Sequence, residues 1–118
     1  MNDRELLELA ARAAGVGYTW SEFWETMARP LNDGSGWDNR ATWNPLKDDG
    51  DALRLAVQLD ITIGPEHPDV VGKSLCRASW NNRNMSLGEF GDGDKPSAYR
   101  RAIVRAAAEI GKSMGGGE

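Results

Sequence analysis

Two stretches of this chain read as helices with their own start signals, and between them they constrain the architecture most. The first is Asp48-Asp49-Gly50-Asp51-Ala52-Leu53-Arg54-Leu55-Ala56-Val57-Gln58-Leu59. The second opens at Asp94-Lys95-Pro96-Ser97 and continues through Tyr99, Ile103, Ala106, Ala107 and Ile110 to Gly111. Carboxylates suit the positive amino end of a helix, and proline is tolerated in the first turn. Neither stretch carries catalytic chemistry. A third helix is predicted near the start, over residues 3–14. Asn2 is its N-cap, Glu5 completes a capping-box pattern, and Leu6, Leu9, Ala10 and Ala13 recur at helical spacing, with Leu7 and Ala14 widening the stripe. Gly15 follows where a left-handed stop is wanted.

The segments between the helices read as strands. Aromatic and β-branched residues at 17–20 favour a strand. A short helical turn over residues 21–27, ended by Pro30, is expected next, then a loop at 32–36 and a strand over 37–43. The helix from Asp49 to Leu59 is apolar on nearly every side, which predicts deep burial. Residues 61–63 form a short strand, and Val70 with Val71 begins another. Residues 74–80 alternate Leu75, Arg77 and Ser79 against Cys76, Ala78 and Trp80, the pattern of a half-buried strand. A turn at 81–84 and a return strand over 85–90 complete a hairpin. The order helix, strands, helix, strands, helix predicts a single α+β domain over residues 1–112, a small antiparallel sheet packed by about three helices, with a flexible tail at 113–118.

A chain of 118 residues suits one modest core. Its net charge of −4 gives no reason to expect nucleic-acid binding, and acidic residues form no long run. A single cysteine, Cys76, excludes an internal disulfide. No secretory leader is visible, and no apolar run approaches the roughly 20 residues that span a bilayer. A cytoplasmic protein is expected.

The motifs that could carry chemistry are weak. Gly72-Lys73-Ser74 resembles the end of a phosphate-binding loop, but position 67 is His67 rather than glycine and a strand, not a helix, follows. Gly15-Val16-Gly17 lacks the third glycine of a dinucleotide fingerprint. Asp48, Asp49 and Asp51 do not match the calcium-loop spacing, and capping accounts for them. His67 is the only histidine and has no partner for proton or metal work. Cys76 falls within a predicted strand and reads as packing. No catalytic residue, metal site or cofactor is expected.

Aromatic and guanidinium side chains are the more suggestive set. All five Trp lie outside the helical stretches. Trp43, Trp80 and Arg83, with Arg40, Arg77 and Asn82, combine planar rings, guanidinium groups and an amide. Such mixtures stack on a nucleobase and pair with phosphate. They equally serve a protein interface, or, for the two Trp, a core. Arg100, Arg101 and Arg105 read as a solvated helix face, with Arg105 and Glu109 as an i, i+4 pair.

Three segments carry a resemblance. Asp3-Arg4-Glu5-Leu6-Leu7-Glu8-Leu9-Ala10, Trp43-Asn44-Pro45-Leu46 with the Asp48–Val57 stretch, and Tyr99 to Gly111 together cover somewhat under half the chain. They resemble small uncharacterised bacteriophage and prophage proteins, and more distantly the layout is similar to the phage α/β/α sandwich domain. Residues 16–42 and 61–93 depart from that pattern, and no catalytic motif is carried over. The resemblance implies counter-defence in the host bacterial cytoplasm. One form is sequestration of a cyclic nucleotide or ADP-ribose-derived immune signal. The alternative is direct docking onto a host defence protein, as anti-CRISPR proteins do. A homodimer is expected, because five Trp exceed what a small sheet under short helices easily hides.

Overall fold

The computed structural model describes residues 2–22, 25–30, 37–66, 75–81, 85–90 and 94–114, with residues 29, 30, 37–41 and 66 described through their backbone only. The chain order is α1 (Asp3–Ala14), β1 (Thr19–Ser21), β2 (Thr26–Pro30), β3 (Trp37–Trp43), α2 (Asp49–Gln58), β4 (Thr62–Glu66), β5 (Leu75–Trp80), β6 (Met85–Phe90) and α3 (Lys95–Met114). The fold is α+β, with three helices and antiparallel strand pairing among the described residues. The strands form two three-stranded sheets, β1-β2-β3 and β4-β5-β6, where the sequence suggested one.

Every helix begins with the same device. The side-chain oxygens of Asn2, Asp48 and Asp94 accept the backbone N–H three residues on, from Glu5, Asp51 and Ser97, at 2.8, 2.8 and 3.1 Å. Each supplies one acceptor to donors that the helix itself leaves unpaired. Gly15 closes α1 in the left-handed region at φ 67°, and its N–H reaches Ala11 and Arg12 carbonyls. The Gln58 side-chain amide donates to the Ala14 carbonyl, so α2 helps to cap α1.

Helix α3 is the centre of the molecule. It packs against α1, α2 and the second sheet. Ala98, Ala102, Ile103, Val104, Ala106, Ala107, Ala108 and Gly111 are all buried, a far wider surface than the expected stripe, in which Tyr99 and Ile110 are only partly covered. The helix also runs on to Met114, past the point where the tail was expected; residues 115–118 lie outside those described. Against α1 it presents Gly111 at close range, and Arg101, expected to be solvated, pairs with Asp3 at 3.1 Å. A Cβ placed on Gly111 would lie 2.0 Å from the Leu9 carbonyl oxygen, so the two backbones touch there.

The first sheet differs from its expected form. A helical turn was expected over residues 21–27; among the described residues of that range Ser21 closes β1 and Thr26 and Met27 open β2, with Glu25 at φ 49°, while residues 23 and 24 lie outside those described. Trp20 stands opposite Met27, and Met27 opposite Trp43, so three large side chains form one cross-strand row. Strand-to-strand pairing thus holds Ser21, Thr26 and Met27 where a helical turn was expected. In the second sheet, Cys76, Ala78 and Trp80 are buried as the alternation required. Strand β4 is longer than expected and carries Pro65, which an edge position tolerates.

Helix α2 corrects a further expectation. It buries Ala52, Leu55 and Ala56, but Leu53 and Val57 are 61% and 68% exposed. The loop at 32–36, the strand at Val70 and Val71, the Gly72-Lys73-Ser74 segment and His67 lie outside the described residues.

Candidate functional site

The expected site residues fall into separate places. Trp43 ends β3 and is buried, its ring parallel to that of Tyr18 with centroids 6.0 Å apart and 9° between planes. Arg40 lies on β3, described through its backbone only. Arg77 and Trp80 share β5 in the other sheet. They are three residues apart, and a period of two puts them on opposite faces. Trp80 faces inward and is 9% exposed; Arg77 faces the other way and donates to Ser86 Oγ at 3.3 Å. Asn82 and Arg83 lie outside the described residues. The structure therefore brings none of the described candidates together: Trp43 and Trp80 belong to different sheets, and Arg77 stands behind Trp80.

Trp80 does line a concavity. A groove of about 780 Å3 is bounded by Trp80, Asn81, Met85, Ile110, Lys112 and Met114, with Glu109 and Ser113 at its polar margin. It lies where the last turns of α3 pass the end of the β5–β6 hairpin. Register places it: Trp80 pairs with Met85. Asn81 holds φ 57° in the left-handed region, a conformation that asparagine accepts more readily than most residues. Met85 and Met114 are 50% and 62% exposed. Such a volume falls within the range of small-molecule sites. Lys112 carries the cation, and as a basic residue in the last turn it also suits the helix terminus.

A second groove, of about 650 Å3, runs along α1. Glu5, Glu8, Leu9 and Arg12 form one wall, and Tyr18, Thr19, Trp20 and Met27 the other. Arg4 places its guanidinium carbon 5.4 Å from the Trp20 ring centroid and pairs with Glu8 at 2.9 Å and Glu22 at 2.7 Å. The Trp20 indole nitrogen is buried, with no acceptor among the described residues.

The acidic stretch proves structural. Asp48 caps α2, Asp51 accepts the Asn44 N–H at 3.0 Å and pairs with Arg54 at 2.7 Å, and Asp49 pairs with Arg100 at 2.6 Å. Arg100 is not a solvated side chain: its Nε donates to the Leu46 carbonyl at 2.9 Å, which pins the 44–48 loop to α3. Arg105 pairs with Glu89 on β6 rather than Glu109. Burial pushes the Cys76 thiol above its usual pKa, so it is held as a neutral thiol beneath α3. Among the described residues, no three His, Cys, Asp or Glu side chains are placed to hold a metal ion, and no helix is long and apolar enough to cross a membrane.

Sequence reasoning missed Met85, Lys112 and Met114, because their neighbourhood depends on how far α3 extends. It also passed over Tyr18 and Trp20 as site residues. The split between Arg77 and Trp80 was available from strand parity alone. Comparison with protein-family models, with curated proteins and with solved structures finds no match.

Proposed function

We propose that this chain is a non-catalytic bacteriophage accessory protein of counter-defence, which sequesters a nucleotide-derived signal in the host bacterial cytoplasm. The groove at the carboxyl end of α3 is the site we assign to it. The observation that supports the reading is the lining itself. Trp80, Met85, Ile110 and Met114 offer apolar and polarizable surface to a planar base, while Lys112, Asn81 and Ser113 offer donors to phosphate and ribose. Glu109 shares the margin with Lys112, so a ligand of modest charge, such as a cyclic nucleotide or an ADP-ribose derivative, suits it better than a linear polyphosphate.

Calorimetric titration with cyclic dinucleotides, cyclic mononucleotides and cyclic ADP-ribose isomers tests it. Binding should be lost in Lys112→Glu and Met114→Asp, both exposed positions whose exchange leaves the core intact. No heat with any of these ligands removes the reading. Turnover of a bound nucleotide, followed by chromatography, would show the non-catalytic half to be wrong.

Exposed Leu53 and Val57, one turn apart on α2, favour a second reading, docking onto a defence effector of the host. A stoichiometric protein captured from lysate, and lost with Leu53→Ser and Val57→Ser, would support it over capture of a nucleotide. The same pair suits the homodimer we also propose. A scattering mass equal to the 12.9 kDa of one chain at micromolar concentration would overturn that dimer.

A further inference from the structure

The chain has one cysteine and four methionines, and the fold sorts their sulfur atoms by access. Cys76 is buried beneath α3, and Met27 is 1% exposed within the first sheet. Met1 lies outside the described residues. Met85 and Met114 are 50% and 62% exposed, and both line the groove at the end of α3. Met85 opens β6 and Met114 ends α3, so two separate elements bring these accessible sulfurs to one rim. We propose that Met85 and Met114 form a paired oxidation site: a peroxide converts both thioethers to sulfoxides, and the groove they line turns from an apolar rim to a polar one. Its effect on nucleotide capture rests on the function proposed above; the chemistry of the pair does not.

Access selects these two sulfurs. Methionine oxidation follows exposure, so an oxidant reaches Met85 and Met114 long before Met27. The thiol does not compete: thiolate is the reactive form, and burial holds Cys76 as the neutral thiol. In the step itself, a lone pair on the methionine sulfur attacks one oxygen of hydrogen peroxide. The S–O bond forms, the O–O bond breaks, and the sulfur gives up two electrons. A proton passes from the first oxygen to the second, which leaves as water. A methionine sulfoxide reductase, with a dithiol as electron donor, removes the oxygen again as water and leaves a disulfide on the donor. The lining sets the consequence. As thioethers, Met85 and Met114 offer polarizable apolar surface in the groove that Trp80 and Ile110 share. As sulfoxides, each presents a strong acceptor oxygen in the same groove as Lys112, whose ammonium makes no ion pair among the described residues. Those oxygens compete with a phosphate for the cation, and they cost a planar base its apolar contacts.

Hydrogen peroxide applied to the full folded chain, with peptide mass spectrometry of each methionine, tests the site. Met85 and Met114 should gain oxygen about tenfold or more faster than Met27, and in urea the three rates should converge. A native-state rate at either rim methionine as slow as that at Met27 overturns the proposal. The groove is read without any nucleotide through the Trp80 indole and Ile110 methyl resonances. Both should shift on oxidation, while an unchanged Trp43 indole reports an intact fold. Full oxidation that leaves both unmoved overturns the proposal, and so does a Trp43 shift of equal size, which would mean loss of the fold. In Met85→Leu with Met114→Leu, peroxide should move neither resonance; shifts that persist there would assign the effect to another residue and overturn it too. Calorimetry with cyclic dinucleotides and cyclic ADP-ribose isomers then compares the oxidised with the untreated chain. Capture should weaken about tenfold or more on oxidation and return after the reductase. Capture that survives full oxidation overturns the control of the site by oxidation. An untreated chain that captures none of these ligands removes the nucleotide reading alone, and the rates and resonances still decide the oxidation site.

Discussion

Helices α1 and α2 both pack on α3, and they do so with different emphasis. Helix α1 meets it closely, with backbone against backbone at Gly111 and Leu9, and adds one partly exposed ion pair, Asp3–Arg101 at 3.1 Å. Helix α2 buries one face, Ala52, Leu55 and Ala56, and is held at its amino end by polar groups: the Asp51 N–H donates to Asp48, the Asn44 N–H to Asp51, and Arg100 to the Leu46 carbonyl and Asp49. Close approach of two helices gains dispersion along the whole seam but leaves no room for an added methyl. A polar tether tolerates changes in volume and depends instead on keeping each partner. The contrast explains why α2 can leave Leu53 and Val57 to solvent while α1 and α3 cannot shift.

The seam should therefore break most sharply. Gly111→Ala sets a methyl carbon 2.0 Å from the Leu9 carbonyl oxygen and 2.9 Å from its carbon, and both are backbone atoms that cannot rotate aside. Overpacking ordinarily costs about 1–3 kcal/mol, and a clash with backbone belongs at or beyond the upper end. Urea unfolding should show a loss of at least about 3 kcal/mol. A loss under about 0.5 kcal/mol would mean that the helices part easily, and the contrast with α2 would fail.

The tether comes next. Arg100→Ala removes the donor to the Leu46 carbonyl and the partner of Asp49, and should cost about 2 kcal/mol, as charged hydrogen bonds of this kind do. Asp49→Ala, whose side chain is largely exposed, should cost under about 1 kcal/mol. Equal losses in the two variants would place the anchor in the ion pair and not in the loop carbonyl.

These two tests also mark what the chain announced in advance. Helix boundaries were legible because caps act locally: Asn2, Asp48 and Gly15 each perform the task their residue type suggests. The alternation of β5 was legible for the same reason. The stretch expected to turn as a helix at 21–27 was not, since only pairing among β1, β2 and β3 puts its described residues Ser21, Thr26 and Met27 in strands. Leu53 and Val57 looked buried because hydrophobicity does not reveal how many neighbours a helix has. Arg100 looked solvated because its partner Leu46 is 54 residues away. Of the candidate site, Trp80 was legible as a residue. Its groove was not, because Met85, Lys112 and Met114 reach it only through tertiary packing.

A smaller effect probes the other side of α3, where Cys76 is buried. Desolvation raises its pKa in the folded state above the unfolded value. The neutral thiol is then favoured by folding, a contribution fully present below the unfolded pKa and lost as pH rises through the folded one. Unfolding free energy should decline from about pH 8 upward more steeply in the native chain than in Cys76→Ala. Parallel curves would show that the thiol titrates as freely as in the unfolded chain.

The smallest expected change is the most informative about function. Leu53→Ser with Val57→Ser alters two side chains that are 61% and 68% exposed, on a helix held by its other face and by its amino-end tether. Surface substitutions of this kind stay within about 0.5 kcal/mol, plus a few tenths for the poorer helix propensity of serine. Monomer stability should therefore be almost unchanged, as should the nucleotide capture proposed for the α3 groove, which none of these atoms lines. Whatever the pair covers in an assembly should respond instead. If two copies meet through it, the scattering mass will fall to that of one chain while the thermal midpoint at high dilution stays put. A variant that unfolds several degrees earlier even as a monomer would show that α2 leans on Leu53 and Val57 within its own chain, and the distinction drawn between seam and tether would then be lost.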